Sequence, residues 1–375
     1  MNDFALSLIF YVLYMFVFMY SYRLDWKRGN WFAVVSFVLL LGLRGNGLDY
    51  EIYNQAFRKL VENNAPLFSD TYLNTLKYFS VHFEIGHLVY IKLISLFTHN
   101  SIFFFSMLAF IQVFFFDLFI RQFEKKRERF FLAFFFFTTL IFCNVFNGMR
   151  QFAAFLMFIN GYKFIVNRDL KKYVVWVLVV STIHKSILIM LPFYFFIDKD
   201  FLQARKIQAT IYLVVMGFSN AFSNELRTIL YGLNYAADDG YSGYFQRDMF
   251  ELDTTLSPLV LFFRLSTFFF VLFYSKQFKE RYGRLGIIAY NFLFMGFLLQ
   301  ELSFNLAILR INIYFYYVGF VVMALITYNN LYGKRNELKG KVVTYGMIVL
   351  HMAWFANCVL KGASGCAPYI LSRYL

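Results

Sequence analysis

Arg150 lies between two of the most apolar runs of the chain, residues 130–143 and 152–166. An arginine at the centre of a bilayer costs about 2.5–3.5 kcal/mol on insertion scales, so a charged side chain beside a membrane is by default a functional hypothesis. The alternative is an arginine that only marks the membrane interface, with its stem buried and its guanidinium in water. Other charged side chains on the same face would favour the functional hypothesis.

Two further charged pairs interrupt apolar sequence. Glu84 and His87 are one helical turn apart, in front of the short apolar run 88–97, and therefore share a helix face. His184 and Lys185 lie in the middle of the apolar run 173–197. A buried, hydrogen-bonded histidine beside a lysine that reaches the interface is the structural alternative for the second pair.

Metal and thiol chemistry are not indicated by the spacing of potential ligands. A single Glu-x-x-His pair falls short of a di-iron bundle, which needs two copies and further glutamates, and the HExxH order is absent. The three cysteines, at positions 143, 358 and 366, form no CxxC pair. The sequence therefore predicts neither a metal site nor a cofactor.

The composition indicates an integral membrane protein. Of the 375 residues 60% are hydrophobic and only 15% are charged, which excludes an ordinary soluble domain. The excess of 36 basic over 22 acidic residues fits positively charged cytoplasmic loops better than nucleic-acid binding, which is not expected. The 54 phenylalanines are interpreted as lipid-facing bulk.

Basic clusters alternate with apolar runs and predict an all-α polytopic protein of about ten transmembrane helices in a single domain, residues 1–375. The N-terminus lies outside, residues 44–83 and 223–257 form outer loops, and residues 84–97 are re-entrant or interfacial. For residues 173–197 a single span and a broken hairpin with His184 at its tip both stay open. The cytoplasmic basic clusters lie near residues 23–28, 121–129, 168–172, 276–284 and 334–341.

This topology brings four arginines to the outer face, together with His184 and Glu84. Guanidinium groups suit phosphate oxygens, which they bind in bidentate fashion, so several of them beside an apolar surface indicate a bound polyanion. A histidine and a glutamate nearby are candidate general bases. The four arginines are Arg44, Arg150, Arg264 and Arg310.

Four short blocks, in this order and over roughly residues 40–195, resemble the EpsG-like branch of the bacterial O-antigen and exopolysaccharide polymerases of the Wzy type. A looser fifth block runs from Arg310 to Tyr314-Phe315. The chain departs from the family pattern at Asn46 and Leu48, where a hydrophobic-Gly-Thr kind of run is usual, and at Gly86-His87, where Pro-Gly-Tyr is more usual. The four blocks are Arg44-Gly-Asn-Gly-Leu-Asp49-Tyr50 with Tyr53, Glu84-Ile-Gly-His87, Asn147-Gly-Met-Arg150-Gln151-Phe-Ala153 and Ile183-His184-Lys185-Ser186.

The resemblance implies a GT-C-like glycosyltransferase of the bacterial inner (plasma) membrane with its active site facing the periplasm. Such enzymes join oligosaccharide repeats carried on undecaprenyl pyrophosphate into O-antigen or exopolysaccharide, without a nucleotide sugar. The partners implied are the lipid-linked oligosaccharide, membrane lipid and a regulator protein that sets chain length. The outer loops 44–83 and 223–257 are then periplasmic.

Site roles follow from combining the residues with the resemblance. Arg150, with Arg264 or Arg310, is expected to hold the leaving pyrophosphate and to stabilise its developing charge. His184 or Glu84 is expected to deprotonate the acceptor hydroxyl. The residues assigned to pyrophosphate or sugar binding are Arg44, Asp49, Tyr50, Tyr53, Gln151, Lys185, Arg264 and Arg310.

Two other functions stay open. A ligase would transfer finished glycan to a different acceptor, such as lipid A core or peptidoglycan. A flippase or transporter for lipid-linked sugar would use the arginines as a transient path for anions, but transporters often show inverted repeats, and no such symmetry is visible in the sequence. A membrane acyltransferase is a weaker third alternative, because its arginine and histidine signatures near the N-terminus are missing.

Overall fold

The computed structural model describes residues 3–24, 30–62, 66–67, 69–70, 74, 83–200, 204–221, 257–302, 306–333 and 337–372. In this part of the chain the regular structure is helical, and the one β-type pairing is an isolated bridge between Arg44 and Leu371. The predicted loop 223–257 lies outside the described residues apart from Ser257, as do Lys27, Arg28 and Asn305. The all-helical prediction is confirmed for the described residues.

The chain divides into two compact units, Met1–Leu191 with His351–Leu375, and Pro192–Leu350. The 3₁₀-helix η1, Lys185–Phe195, begins in the first unit and ends in the second. The helices of the first unit are α1 Asp3–Ser21, α2 Trp31–Gly42, α3 Tyr50–Glu62, α4 Ile85–Ser95, α5 Ser101–Ile120, α6 Lys126–Thr138, α7 Ile141–Asn144, α8 Met149–Ile159, α9 Tyr162–Val166 and α10 Leu170–Ser181.

The second unit is built from longer helices. In α12 the predicted runs 258–274 and 285–302 are two arms that meet at Gly283, whose φ of 54° and ψ of −131° interrupt the helix. The helices are α11 Arg205–Ala221, α12 Pro258–Glu301, α13 Leu306–Tyr316, α14 Gly319–Tyr332 and α15 Leu338–Leu360; α15 ends in the first unit, where the 3₁₀-helix η2, Ala363–Gly365, follows it.

Within the described residues, five helical segments are long and apolar enough to cross a membrane. They support the membrane-protein prediction, whereas the number of about ten spans and a GT-C-like arrangement stay predictions. The five segments are Asp3–Ser21, Ser101–Ile120, Pro258–Glu301, Ile308–Tyr332 and Leu338–Leu360.

The predicted crossings 130–144 and 151–166 are each made of two short helices. Leu140, in a left-handed conformation with φ of 68°, separates α6 from α7, and Asn160-Gly161 separates α8 from α9. The side chains of residues 131–137 are all buried. A helix that is apolar on every side and buried on every side belongs to a protein core, so these segments pack inside the first unit.

Phenylalanine forms much of the interior of the first unit. The ring of Phe18 is fully buried against the rings of Phe116, Phe136 and Phe137, with centroids 5.4–6.3 Å apart. Aromatic pairs at these separations add to the free energy gained by burying their apolar surface. The interpretation of the phenylalanines as lipid-facing bulk is therefore wrong for this cluster, where they fill the core.

Residues 170–195 fold as a broken hairpin, which answers the question that the sequence left open. Helix α10 ends at Ser181, η1 begins at Lys185, and the hydroxyl of Tyr173 donates to the carbonyl oxygen of Met190 at 2.6 Å. In one straight helix these two residues would be about 25 Å apart along the axis. The chain therefore turns back on itself, and His184 lies at the tip of the hairpin.

We expect Tyr173→Phe to lower the free energy of unfolding by about 1 kcal/mol, because the Met190 carbonyl oxygen loses the hydrogen bond that the Tyr173 hydroxyl donates. The measurement is thermal unfolding of the purified protein in detergent. The matched control is Tyr345→Phe, at a tyrosine with an exposed side chain, which should leave the unfolding temperature unchanged. Equal unfolding temperatures for the two variants would contradict the role of this hydrogen bond in closing the hairpin.

Candidate functional site

Arg150 is held by side chains from two other segments. Helix α8 starts directly after Gly148, whose φ is 53°, so Arg150 lies in its first turn. Its Nη1 forms an ion pair with the carboxylate of Glu84, and its Nε donates to the hydroxyl oxygen of Tyr53 at 2.7 Å. The guanidinium also lies 4.8 Å from the ring centroid of Phe83, within the range of a cation–π contact. Arg150 is therefore oriented before any ligand arrives.

Glu84 connects Arg150 to the tip of the hairpin. It immediately precedes α4, and its Oε1 accepts a hydrogen bond from the backbone N–H of Lys185 at 3.0 Å, while Oε2 pairs with Arg150. Both side chains of the ion pair are only 11% exposed. Because both carboxylate oxygens have partners, the present geometry gives Glu84 an orienting role between two chain segments.

Asp49 brings the first block to the same place. Its Oδ2 accepts a hydrogen bond from the backbone N–H of Gly148 at 3.1 Å, directly in front of α8. A carboxylate is favourable at a helix N-terminus, where the helix dipole is positive, whereas an arginine in the first turn is not. Asp49 and Glu84 thus provide two negative charges that compensate for the position of Arg150.

Glycines in the blocks lie where backbones meet. The N–H of Gly86 donates to the carbonyl oxygen of Thr182 at 2.8 Å, and a Cβ on Gly86 would come within 2.5 Å of the Thr182 hydroxyl oxygen. A Cβ on Gly47 would lie 2.5 Å from the carbonyl oxygen of Phe146. These contacts join the second block to the hairpin tip and the first block to the third, so the four blocks meet in one place.

The two histidines lie in different surroundings. His184 is 8% exposed, and its Nδ1 lies 2.7 Å from the hydroxyl oxygen of Ser186, which fixes the orientation of the imidazole. Lys185, next to it, has an exposed side chain. His87 is buried among aromatic rings, with centroids 4.7 Å from Phe83 and 5.9 Å from Tyr53. His184 therefore keeps its place as a candidate base, while His87 packs against the aromatic side chains that line Arg150.

Arg44 is 2% exposed and contacts the segment that precedes α8. Its Nη1 donates to the carbonyl oxygen of Val145 at 3.3 Å, and its guanidinium lies 4.7 Å from the ring of Phe146. Burial lowers the pKa of Arg44 to about 10, which still leaves it charged at neutral pH. This burial gives Arg44 a supporting role beneath the site, and its contact with substrate stays a prediction.

Two other predicted binding residues are also buried. Tyr50 stacks on Phe105 with ring centroids 4.5 Å apart, and Gln151 lies in the core beside Arg150 in the sequence. Tyr50 belongs to a cluster of buried hydrophobic side chains and supports the wall of the site, and Gln151 is buried to a similar extent. Their direct contact with sugar stays a prediction.

Arg264 and Arg310 belong to the second unit. The Nη1 of Arg264 lies 3.2 Å from Oε2 of Glu301, and Oε1 of Glu301 accepts a hydrogen bond from the hydroxyl of Tyr212 at 2.9 Å. Arg310 is partly buried on α13. The convergence of these two arginines with Arg150 stays a prediction.

Sequence reasoning missed several residues that complete these clusters. Phe83 carries no signal among 54 phenylalanines, and Thr182 contributes only a backbone carbonyl. The pairing of Glu301 with Arg264 and Tyr212 depends on tertiary packing. None of these contacts follows from local spacing.

We expect Glu84→Gln to lower the free energy of unfolding by roughly 2–3 kcal/mol, because a largely buried arginine loses its counter-charge while hydrogen-bond acceptors remain. Thermal unfolding of the purified protein in detergent measures this without any assumption about activity. The control is Glu62→Gln, which removes one partner of the exposed Lys59–Glu62 pair and should change stability by less than about 0.5 kcal/mol. Similar effects of both variants would contradict the importance of the Arg150–Glu84 pair.

The EpsG family model matches residues 30–371, which include all four blocks, most of the first unit, the whole of the second unit and the segment that follows α15 as far as Leu371. No curated protein and no solved structure matches the chain at a significant level of similarity. The match extends over more than nine-tenths of the sequence, and membership indicates a function of the polysaccharide-polymerase type in a membrane. The chain belongs to the EpsG family.

Proposed function

We propose that this protein is a metal-independent membrane glycosyltransferase that polymerises oligosaccharide repeat units carried on undecaprenyl pyrophosphate. The observation that carries the proposal is the oriented Arg150 guanidinium, paired with Glu84 at the meeting point of the four blocks. A planar guanidinium held in place before the substrate arrives is suited to the oxygens of a diphosphate. The proposal places the reaction on the periplasmic face of the bacterial inner membrane, with O-antigen or exopolysaccharide as product.

The reaction needs one bond to form as another breaks. A hydroxyl oxygen of the acceptor repeat attacks the anomeric carbon of the donor glycan, and the bond from that carbon to the pyrophosphate oxygen breaks. The electron pair stays with the pyrophosphate on its lipid carrier, where Arg150 stabilises the growing negative charge. The hydroxyl proton goes to a base. Arg264 or Arg310 is proposed as a second cation for the same anion.

In the present state the carboxylate of Glu84 occupies the place on Arg150 that a diphosphate oxygen would take. A diphosphate carries more negative charge than a carboxylate and is therefore a stronger partner for the guanidinium. We propose that substrate entry exchanges one anion for the other. Tyr53 keeps the guanidinium oriented during the exchange through its contact with Nε.

His184 is the base that the geometry supports better. Glu84 keeps its hydrogen bond from the backbone N–H of Lys185 when a diphosphate replaces it on Arg150, and so stays a positioning group, whereas the His184 ring is oriented by Ser186 at the hairpin tip. In this scheme Glu84 positions Arg150 and the tip, Asp49 stabilises the start of α8, and the exposed Lys185 attracts the anionic carrier. Imidazole is the side chain best suited to take a proton near neutral pH.

The test of the function is a surface-glycan gel from a deletion strain complemented with single variants. We expect Arg150→Lys to reduce polymerised glycan by about 100-fold or more, nearly as far as Arg150→Ala, because a point charge cannot replace the planar guanidinium. Wild type should restore the ladder. The control Arg127→Lys, at an exposed arginine of α6, should restore it as well.

The pattern on the gel separates the rival functions. A single repeat on the carrier or core in the deletion strain supports a polymerase. Full-length glycan retained on the lipid carrier would instead indicate a ligase, and loss of all periplasmic glycan a flippase. A normal ladder from well-expressed Arg150→Lys protein would contradict the role given to the guanidinium.

The choice of base has its own measurement, the rate of polymerisation by purified protein against pH. We expect the wild-type rate to fall at acidic pH as the imidazole becomes protonated and stops accepting protons. In His184→Gln the residual rate should be low and should lack this acidic decline, while Glu84→Gln should retain it. An unchanged decline in His184→Gln would assign the proton transfer to another group.

A further inference from the structure

The segment after α15 returns to the first block and pairs with its backbone. We call residues 361–372 the C-terminal strap. The N–H of Ser372 donates to the carbonyl oxygen of Leu43 at 2.8 Å, and the N–H of Gly45 donates to the carbonyl oxygen of Ile370 at 2.7 Å. These two bonds flank the antiparallel bridge between Arg44 and Leu371. The strap therefore supplies the hydrogen bonds that the turn after α2 cannot make within itself.

Side chains extend this pairing along the whole of the turn that follows α2. Asn46 Nδ2 donates to the carbonyl oxygen of Gly365 at 2.8 Å, and the hydroxyl oxygens of Tyr50 and Ser372 lie 3.1 Å apart. A Cβ on Gly365 would come within 3.0 Å of the backbone nitrogen of Leu48. The strap thus contacts the chain on both sides of Gly47, the glycine with φ of 130°.

The strap is itself anchored to three helices of the first unit. The hydroxyl of Tyr369 donates to the carbonyl oxygen of Leu40 on α2 at 2.9 Å, and its backbone N–H donates to the hydroxyl of Ser7 on α1 at 2.8 Å. The Ser364 hydroxyl donates to Oδ1 of Asn144, at the end of α7, at 2.7 Å. Because the anchors lie on packed helices, the strap is a fixed support for residues 43–48.

Residues at the two ends of this turn reach the segment that carries Arg150. Arg44 donates to the carbonyl oxygen of Val145, and Asp49 accepts from the N–H of Gly148. A shift of residues 43–48 would move both contacts together. The turn is therefore one route from the strap to this segment, and the hydrogen bond from Ser364 to Asn144, directly before Val145, is another.

We propose that the C-terminal strap is a positioning element of the Arg150 site. It fixes the turn between α2 and α3, and through Arg44 and Asp49 it fixes the start of α8. Its kinetic consequence rests on the proposed polymerase function. The strap lies within the residues matched by the family model, up to Leu371.

Two glycines of the strap give a matched pair of variants. Gly365 and Gly362 have φ of 63° and 69°, so alanine strains the backbone to a similar extent at each position. At Gly365 the added Cβ meets Leu48 in the first block, whereas at Gly362 it meets the ring of Phe4 at 3.1 Å and the carbonyl oxygen of Ala367, within the strap, at 3.3 Å. The difference between the two variants therefore isolates the contact with the first block.

The experiment compares both variants as full-length purified proteins, by steady-state polymerisation and by backbone hydrogen exchange. We expect Gly365→Ala to have a kcat about tenfold below that of Gly362→Ala, because a small displacement of a charge-stabilising group acts on the transition state. The KM for the lipid-linked repeat should change by less than about threefold. Amides of residues 43–50 and 148–152 should exchange faster in Gly365→Ala alone.

The exchange measurement keeps the test independent of the proposed activity. Should the wild-type protein polymerise nothing, faster exchange at residues 43–50 and 148–152 in Gly365→Ala alone still supports the positioning role. Equal exchange in the two variants overturns it, whatever the activity. Faster exchange at residues 43–50 with equal kcat values in an active protein overturns the link between the strap and the site.

Discussion

The ion pair between Arg150 and Glu84 is the constraint on which the first unit depends. Each side chain is 11% exposed, and removing two such charges from water costs several kcal/mol per ion before their attraction is counted. The pair is tolerated because it is not isolated. Arg150 also donates to the Tyr53 hydroxyl and lies over the ring of Phe83, and Glu84 also accepts from the Lys185 N–H. Tyr53 and Lys185 come from segments other than those of Arg150 and Glu84, so the pair fixes how these segments meet.

The same constraint explains why the helices around the site are short. Arg150 reaches Glu84 only if α8 starts at residue 149, and the carboxylate of Asp49 at Gly148 makes that start favourable. Glu84 reaches Lys185 only if the 170–195 segment breaks before it, as it does at residues 182–184. If either segment were one long uninterrupted helix, Glu84 could not contact both Arg150 and the N–H of Lys185. The breaks are therefore a condition of the site.

The sequence was sufficient to find the blocks but not their partners. Positions 44–53, 84–87, 147–153 and 183–186 were recognisable because charged or titratable residues interrupt apolar sequence there, with glycine nearby in the first three, and the family match covers them all. The broken hairpin could be given only as one of two alternatives. Charge patterns indicate whether the number of crossings between two basic clusters is even or odd, but they do not show where the chain turns. The burial of individual side chains could hardly be predicted from the sequence. Phenylalanine has the same composition signal whether it faces lipid or a core, and the contact of Arg44 with the ring of Phe146 depends on tertiary packing.

The position of Glu84 couples the two halves of the proposed reaction. Its Oε2 holds the guanidinium that would receive the diphosphate, and its Oε1 holds the backbone of Lys185, next to His184. A diphosphate that replaces Glu84 on Arg150 leaves that carboxylate with a single strong partner, the hairpin tip. When the Glu84 carboxylate loses its contact with Arg150, its remaining hydrogen bond to the Lys185 N–H becomes stronger, because the local dielectric constant is low. Binding of the leaving group would then draw Glu84 and the tip with His184 together, so the base would be positioned only when the donor is in place. An arginine alone could bind the diphosphate, but it could not transmit that event to the base; the paired carboxylate gives the site a means of doing so.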